Sequence, residues 1–444
     1  MFHFHSINIK TRDTMHSHPK RIYLSALLFD LLALAANQLA IHSSTFADAY
    51  SHYVYRVLSL GIGSVMGLLP FSVVELLLYA TILFVLFDFV KQLCRAVRVG
   101  AACVHPARVS QASRTHAEAS TNSKNVASST ESQQYTGAAC PTHLLAAVAR
   151  PLLRFLGHLF LILSSLLVLY VFLCGINYHR TSFSEEAGLS VTIDAHGTVY
   201  DEADLIALCD YLVTEINDTE AQLDVPYIAQ TSETPKPSAA WLWHAGRTGQ
   251  RAMEKLGQRY RRLSGHYPYP KPILNTWILS VQQTTGVYSP FTVEANYNRD
   301  IAYYDIPFTI CHELSHLRGY MQEEEANFIG VLATIGADDL YFNYSGYVSA
   351  WVYAGNALAR IDSTAFATLY SRINARTRQD MLYNNAYWKQ FEGKPAEAHE
   401  QLNDAYLKMQ GQATGVRSYG HVTDLMLEYF AKNGTLTQSQ GLKN

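Results

Sequence analysis

The chain has 444 residues, 49% of them apolar and only 16% charged, with a formal net charge of −3. That composition is too apolar and too poor in charge for an ordinary soluble protein and points to a membrane component. No long basic run accompanies the slightly acidic balance, which excludes nucleic acid as a partner, and the length admits more than one folded unit. The cysteines Cys94, Cys103, Cys140, Cys174, Cys209 and Cys311 form no CxxC pair, so neither a cysteine zinc knuckle nor a disulfide framework is indicated.

Residues 1–21 are polar and end in Lys20-Arg21. Three stretches then reach the length needed to cross a bilayer, about 20 residues. They run from Ile22 to Ile41, from Leu69 to Val90, and from Phe155 to Ile176. Ser44–Gly67, between the first two, is less apolar and is closed by Pro70; it reads as an interfacial helix. Residues 22–98 therefore hold two spans with an interfacial segment, and residues 144–176 hold the third. Asp30, Glu75 and Asp88 fall within the spans. An intramembrane acid can mark a proton path or be a paired structural group, and both readings stay open.

Lysine and arginine are concentrated before the first span and between the second and third, while the short loop between the first two has only Arg56. The positive-inside rule then predicts a cytoplasmic N-terminus, a cytoplasmic loop over 99–143 and an extracytoplasmic domain over 177–444. The loop is rich in Ala, Ser, Thr and Gln and lacks large apolar residues, so disorder is expected for it.

In the outer domain, Asp201–Ala221 carries Leu205, Ile206, Leu208, Leu212 and Ile216 at helical spacing, and Ser238–Leu263 also reads as helix. Pro268, Pro270 and Pro272 break the chain. Ile273–Val281 reads as a strand, and Phe291–Asn298 alternates as a half-buried or edge strand. From Phe308 onward the pattern is helical out to Leu425–Lys432. The expected class is α+β, mostly helical.

The chemistry is concentrated in His312-Glu313-Leu314-Ser315-His316. Histidines four apart share one helix face, so both imidazoles can reach one metal ion. Glu313 then projects beside that ion as a general base. Gly319 can end the helix in a left-handed conformation, and a second helix starting near Gln322 can fold back to present a carboxylate. Of Glu323, Glu324 and Glu325 only one can aim at the ion, because consecutive helical residues point about 100° apart. The chosen ligand is Glu323. Asn327, four residues on, shares its face and can hydrogen-bond a ligating histidine. Two histidines and a glutamate form the set of thermolysin-type zinc hydrolases, so Zn²⁺ is the expected cofactor. Candidate donors for an oxyanion are Tyr344, Tyr347, Tyr419 and His421, none of them assigned.

The chain resembles a bacterial family of membrane-anchored HExxH proteins, known mainly as a domain of unknown function and taken to be gluzincin-type peptidases. The resemblance rests on Tyr50–Tyr55, Leu69–Ser72, Gly175–Arg180, Gly286–Asn296, His312–His316, Glu323–Phe328 and Gly415–Gly420. The low-complexity loop departs from the family's compact form. The resemblance implies a zincin-like outer domain. It further implies that the strand before the active helix, here Phe291–Asn298 with Val293, Glu294 and Ala295, binds substrate backbone by strand addition. The expectation is a multi-pass membrane zinc metallopeptidase acting on peptide or protein substrates, with membrane lipid around its spans. The alternative is a non-catalytic sensor or assembly protein that keeps a zinc site.

Overall fold

The computed structural model describes residues 18–104, 141–189, 200–410 and 421–437. Most of the expected cytoplasmic loop, the first 17 residues and Tyr419 lie outside them. The described chain is mostly helical. In order it forms α1 (His18–His42), α2 (Ser44–Tyr50), a π-helical turn (Ser51–Tyr55), α3 (Arg56–Gly67), α4 (Val73–Val104) and α5 (Pro141–Leu173). A 3₁₀ turn (Gly175–His179), α6 (Phe183–Glu186), α7 (Glu202–Ala221) and α8 (Ala239–Arg259) follow. Then come β1 (Lys271–Pro272), α9 (Trp277–Ser280), β2 (Gly286–Ser289) and β3 (Glu294–Tyr297). The rest is α10 (Asp305–His316), α11 (Glu323–Ile335), α12 (Leu340–Ile361), α13 (Ser363–Arg372), α14 (Ala375–Lys389), α15 (Lys394–Met409) and α16 (His421–Asn433).

Three helical stretches are long and apolar enough to cross a membrane: Tyr23–His42, Val73–Ala101 and Val148–His179. The second begins four residues later than the apolar pattern suggested, because Pro70 and the turn around it precede the helix.

The chain divides into two compact units, Met1–Asp30 with Leu77–Leu166, and Leu31–Leu76 with Leu167–Asn444. In the first, each apolar-helix acid has a polar partner. Ser164 donates its hydroxyl to Asp30 at 2.5 Å, and Asp88 accepts from Gln92 at 2.9 Å and lies 2.8 Å from His158 Nδ1. Large apolar side chains such as Leu28, Phe29, Leu83 and Phe87 face outward.

The second unit holds the main core. Asp201 and Asp204 form a capping box that starts α7, and Ser238 caps α8 through the amide of Trp241. Buried apolar faces of α7, α8, α10, α11 and α12 pack together, with α10 and α11 almost wholly enclosed. The small sheet has the order β1-β3-β2, with β1 parallel and β2 antiparallel to β3.

Two strand expectations need correction. Ile273–Val281 does not form a strand: β1 is only Lys271–Pro272, and Trp277–Ser280 is helical. The amides of Leu274 and Asn275 donate to the Glu75 carboxylate at 2.8 and 2.9 Å instead of to a neighbouring strand. Phe291–Asn298 is not an edge strand either. Val293 has φ of 53°, which breaks the extended run, and β3 begins at Glu294 as the central strand with both sides paired. Its polar positions are buried against partners. Glu294 pairs with Lys271 Nζ and accepts from the amides of Val73 and Val74 at 3.1 and 2.8 Å, closing the N-terminus of α4.

Glu294 and Lys271 are 2% and 1% exposed at the side chain, so removing one partner strands a buried charge. Glu294→Gln is expected to cost about 3–5 kcal/mol of stability, read as a lower unfolding midpoint in detergent, whereas adding Lys271→Met to Glu294→Gln, which removes the stranded charge and keeps an acceptor for the α4 amides, recovers part of it. A Glu294→Gln protein as stable as the parent removes this pair from the framework.

Candidate metal centre and groove

Helix α10 carries the motif through the core, with Ile310, Cys311 and Leu314 fully buried on its apolar sides. It ends at His316, and Gly319 takes φ of 83°, where a side chain is strained. The turn sends α11 back along α10, starting at Glu323. The three residues expected to share a metal come together as a result. His312 Nε2 is 3.3 Å from one Glu323 oxygen, His316 Nε2 is 3.8 Å from the other, and the two imidazole nitrogens are 3.2 Å apart. The potential donor atoms of this trio all lie within 4.8 Å of one another.

The surroundings aim these donors. His316 Nδ1 is 2.6 Å from the Tyr320 carbonyl, which requires a proton on Nδ1 and leaves the Nε2 lone pair facing Glu323. The carbonyl of His316 itself accepts from the Tyr55 hydroxyl at 3.1 Å, which ties α10 to the π-helical turn. Asn327 lies against His312 closely enough to favour its protonated form, as its place on α11 anticipates. Glu325 points away from the trio and accepts the Phe183 amide at 2.7 Å, at the start of α6. Glu324 is buried rather than turned to solvent.

Electrostatics without a metal are those of a compact, coupled cluster. Burial presses the His312 pKa down, but the hydrogen bond and charge of Glu323 outweigh it and the net shift is up. Burial pushes His316 down to about 4 against the opposing charge of Glu323. Glu323 is disfavoured as an anion by burial, yet its bond to His312 holds its pKa below the usual carboxylate value. Glu313 is raised to about 8, chiefly by burial. Its Oε1 is 4.0 Å from His312 Nε2, and its buried Oε2 has no hydrogen-bond partner among the described residues.

The residues fit a zinc ion by donor chemistry and spacing. Zn–N and Zn–O bonds of about 2.0–2.1 Å at tetrahedral angles separate neighbouring donors by about 3.3 Å. Here the two imidazole nitrogens are 3.2 Å apart and the nearer Glu323 oxygen is 3.3 Å from His312, and one donor atom from each residue keeps the whole set within 4.8 Å.

The trio lies in an open groove of about 1200 Å³. One wall is β2 with the chain on either side of it. The Asn298 amide donates to the Thr285 carbonyl at 2.7 Å, which sets the ladder phase. Val287 then bonds toward β3, while the backbones of Gly286 and Tyr288 turn the other way, toward Glu313. The Tyr288 amide bonds Glu313. A Cβ on Gly286 would stand 2.5 Å from Glu313 Oε1, so the close approach requires glycine. The strand beside the centre is therefore β2; Val293, Glu294 and Ala295 are buried, and Glu294 and Ala295 are paired with Ser289 and Tyr288 of β2. Their expected role in strand addition is corrected on that ground.

The oxyanion candidates also fare differently from expectation. Tyr344 donates to Asp380 at 2.8 Å and Tyr347 packs on Tyr211; neither lines the groove, nor does His421. Sequence reasoning passed over Gly286, Tyr288 and Asp305, and the α15 wall with Glu397, Glu400 and Tyr406, all of which do line it. The Gly286-Val287-Tyr288 run was the one available signal. Nothing in α15 marks it as groove-lining, since its contacts come from the far end of the chain.

No curated protein and no solved structure matches this chain. A family model described as "Protein of unknown function (DUF3810)" matches residues 142–427, which takes in the third apolar helix, the sheet, the HExxH helix and α15. With well over half of its length matched, the chain belongs to that family, Protein of unknown function (DUF3810).

Proposed function

We propose that the protein is a membrane-bound zinc metallopeptidase with a zincin-like domain outside the membrane. The observation that carries the reading is the convergence of His312, His316 and Glu323 beside Glu313, at the floor of an open groove. His312 and His316 would each offer Nε2 and Glu323 a carboxylate oxygen. A zinc ion held there acts as a Lewis acid and lowers the pKa of water toward about 7.

Glu313 is suited to the role of general base. It lies 4.0 Å from His312 Nε2, and its Oε2 has no hydrogen-bond partner among the described residues. Burial chiefly, and then the charge of Glu323 against that of His312, raise its pKa to about 8, and a cation at the trio would favour the carboxylate. It would then take a proton from water and deliver it to the departing amide nitrogen. The Tyr320 carbonyl holds the His316 ring, so orientation costs nothing at the moment of reaction. An extended peptide running beside Gly286 and Tyr288 would bring its scissile carbonyl to Glu313. A purely structural zinc site has no use for such a base, which disfavours the sensor reading.

The three apolar helices and the lysine and arginine bias support a multi-pass topology with the domain after Asn177 extracytoplasmic. Single cysteines introduced at Thr121 and Glu392 test it on intact cells. An impermeant thiol reagent should label only the Glu392 position; the reverse pattern refutes the topology.

Base and ligands separate by mutation. Glu313→Gln should keep about one zinc per chain while casein turnover falls at least about a hundredfold. His316→Ala should lose the metal. Unchanged turnover in Glu313→Gln would remove it as the base.

Gln substitution of each glutamate in turn assigns the third ligand. Zinc loss is expected for Glu323→Gln alone among the three, with a smaller loss, about 10–100-fold in affinity, for Asn327→Ala. Full zinc in Glu323→Gln with loss in Glu325→Gln would transfer the role.

A further inference from the structure

A second cleft takes in Leu317 and Arg318 of the turn after His316, and it is lined by four arginines. Arg56, Arg180, Arg262 and Arg318 surround it with Asp48, Ser51, His52 and Tyr55. Two carboxylates form ion pairs with these arginines among the described residues. Asp48 pairs with Arg262 at 3.0 Å, and Glu186 pairs with Arg262 and lies 3.9 Å from Arg180. Backbone carbonyls supply further acceptors, Ser264 for Arg56 at 3.0 Å and Arg318 for Arg180 at 2.7 Å, but carbonyls carry no charge. Within ion-pair distance four guanidiniums thus meet two carboxylates, and buried Glu325 is near enough to Arg180 to feel its charge.

Two of the cations are deeply enclosed. Arg180 and Arg318 are 8% and 5% exposed, and each keeps a buried Nε with no acceptor among the described residues. Arg318 lies over the Tyr267 ring at 4.0 Å and Arg180 over Tyr320 at 4.3 Å, which fixes both planes. Gly265 locates another convergence. A Cβ there would be 3.3 Å from one Arg56 nitrogen and 3.4 Å from one Arg318 nitrogen, so the two like charges meet across one glycine. Burial first, and then the charge of Arg318, hold the Arg56 pKa below its usual value. An anion between them would relieve both costs.

The backbone is also unusual at this place. Ser51, His52 and Tyr55 come from the π-helical turn, a conformation that recurs at functional sites. The space is about 20 Å³, room for one or two water-sized groups, and exposed His52 is among its lining residues. That admits one or two oxygens of a phosphate while the remainder of the group stays at the cleft's opening.

We infer that this cleft binds a phosphate group through Arg56, Arg180, Arg262 and Arg318, presented by a phospholipid headgroup or as the free ion. Bidentate guanidinium forks match phosphate oxygens. Its position favours the lipid. Arg180 directly follows the apolar helix ending at His179, and Asp48, Ser51 and His52 come shortly after the one ending at His42. The same segment turns Tyr53, Val57, Val65 and Leu68 outward, as a helix lying in a membrane surface does. The inference is independent of the zinc reading and needs no turnover to test.

The test is calorimetric titration of the full chain in an uncharged detergent. The probes are sodium phosphate, dihexanoylphosphatidylglycerol, and sodium chloride at matched ionic strength. Saturable binding of phosphate or the lipid beyond chloride is expected, weakened roughly tenfold or more in Arg56→Gln and in Arg262→Gln, whose side chains are less buried. Tighter binding of the lipid identifies a headgroup, and binding of phosphate alone identifies the free ion; both support the site. Binding matched by chloride, absent for both probes, or unchanged in a folded Arg56→Gln or Arg262→Gln protein overturns it.

Discussion

The turn at Gly319 is the constraint on which the site depends. Helix α10 stops at His316, the backbone crosses a left-handed glycine, and α11 returns with Glu323 at its first position. Had the chain continued as helix, Glu323 would lie about two turns beyond His316, some 10 Å along the axis, out of reach of both imidazoles. The same turn lets the Tyr320 carbonyl reach His316 Nδ1. One backbone reversal therefore supplies one candidate ligand and orients another. It also presents the Arg318 carbonyl to Arg180, so the arginine cleft and the candidate metal centre share a wall.

Buried carboxylates divide into two kinds according to what satisfies them. Glu75, Glu294 and Glu325 each accept backbone amides from segments distant in sequence, and act as clasps between the apolar helices, the sheet and α6. Glu323 meets imidazoles, and Glu313 keeps one oxygen without a partner. A buried anion with an oxygen left without a donor, or with only imidazoles beside it, is costly unless something else supplies positive charge. That difference singles out the second pair as the chemical one. It also explains why Glu75, read from sequence as an acid within an apolar stretch, belongs to the framework.

Much of the molecule was legible from residue order alone. Three apolar stretches, the helical spacing of Leu205, Leu208, Leu212 and Ile216, and the four-residue spacing of His312 and His316 are local properties, and local properties are what sequence periodicity reports. The phase argument that separated Glu323 from Glu325 is local too, because 100° per residue holds within any α-helix.

Strand roles, by contrast, were decided by tertiary structure. Alternation in Phe291–Asn298 suggested an edge, but β1 and β2 pair on the two sides of β3, and Lys271 with the N-terminus of α4 encloses its Glu294. Pairing depends on partners that a single segment does not encode. The oxyanion candidates shared that fate, since Tyr344 found Asp380 in α14 rather than the groove. The arginine cleft is the same lesson in the other direction. Arg56, Arg180, Arg262 and Arg318 are scattered singly along the chain with no motif among them, and only folding brings their charges together against too few carboxylates.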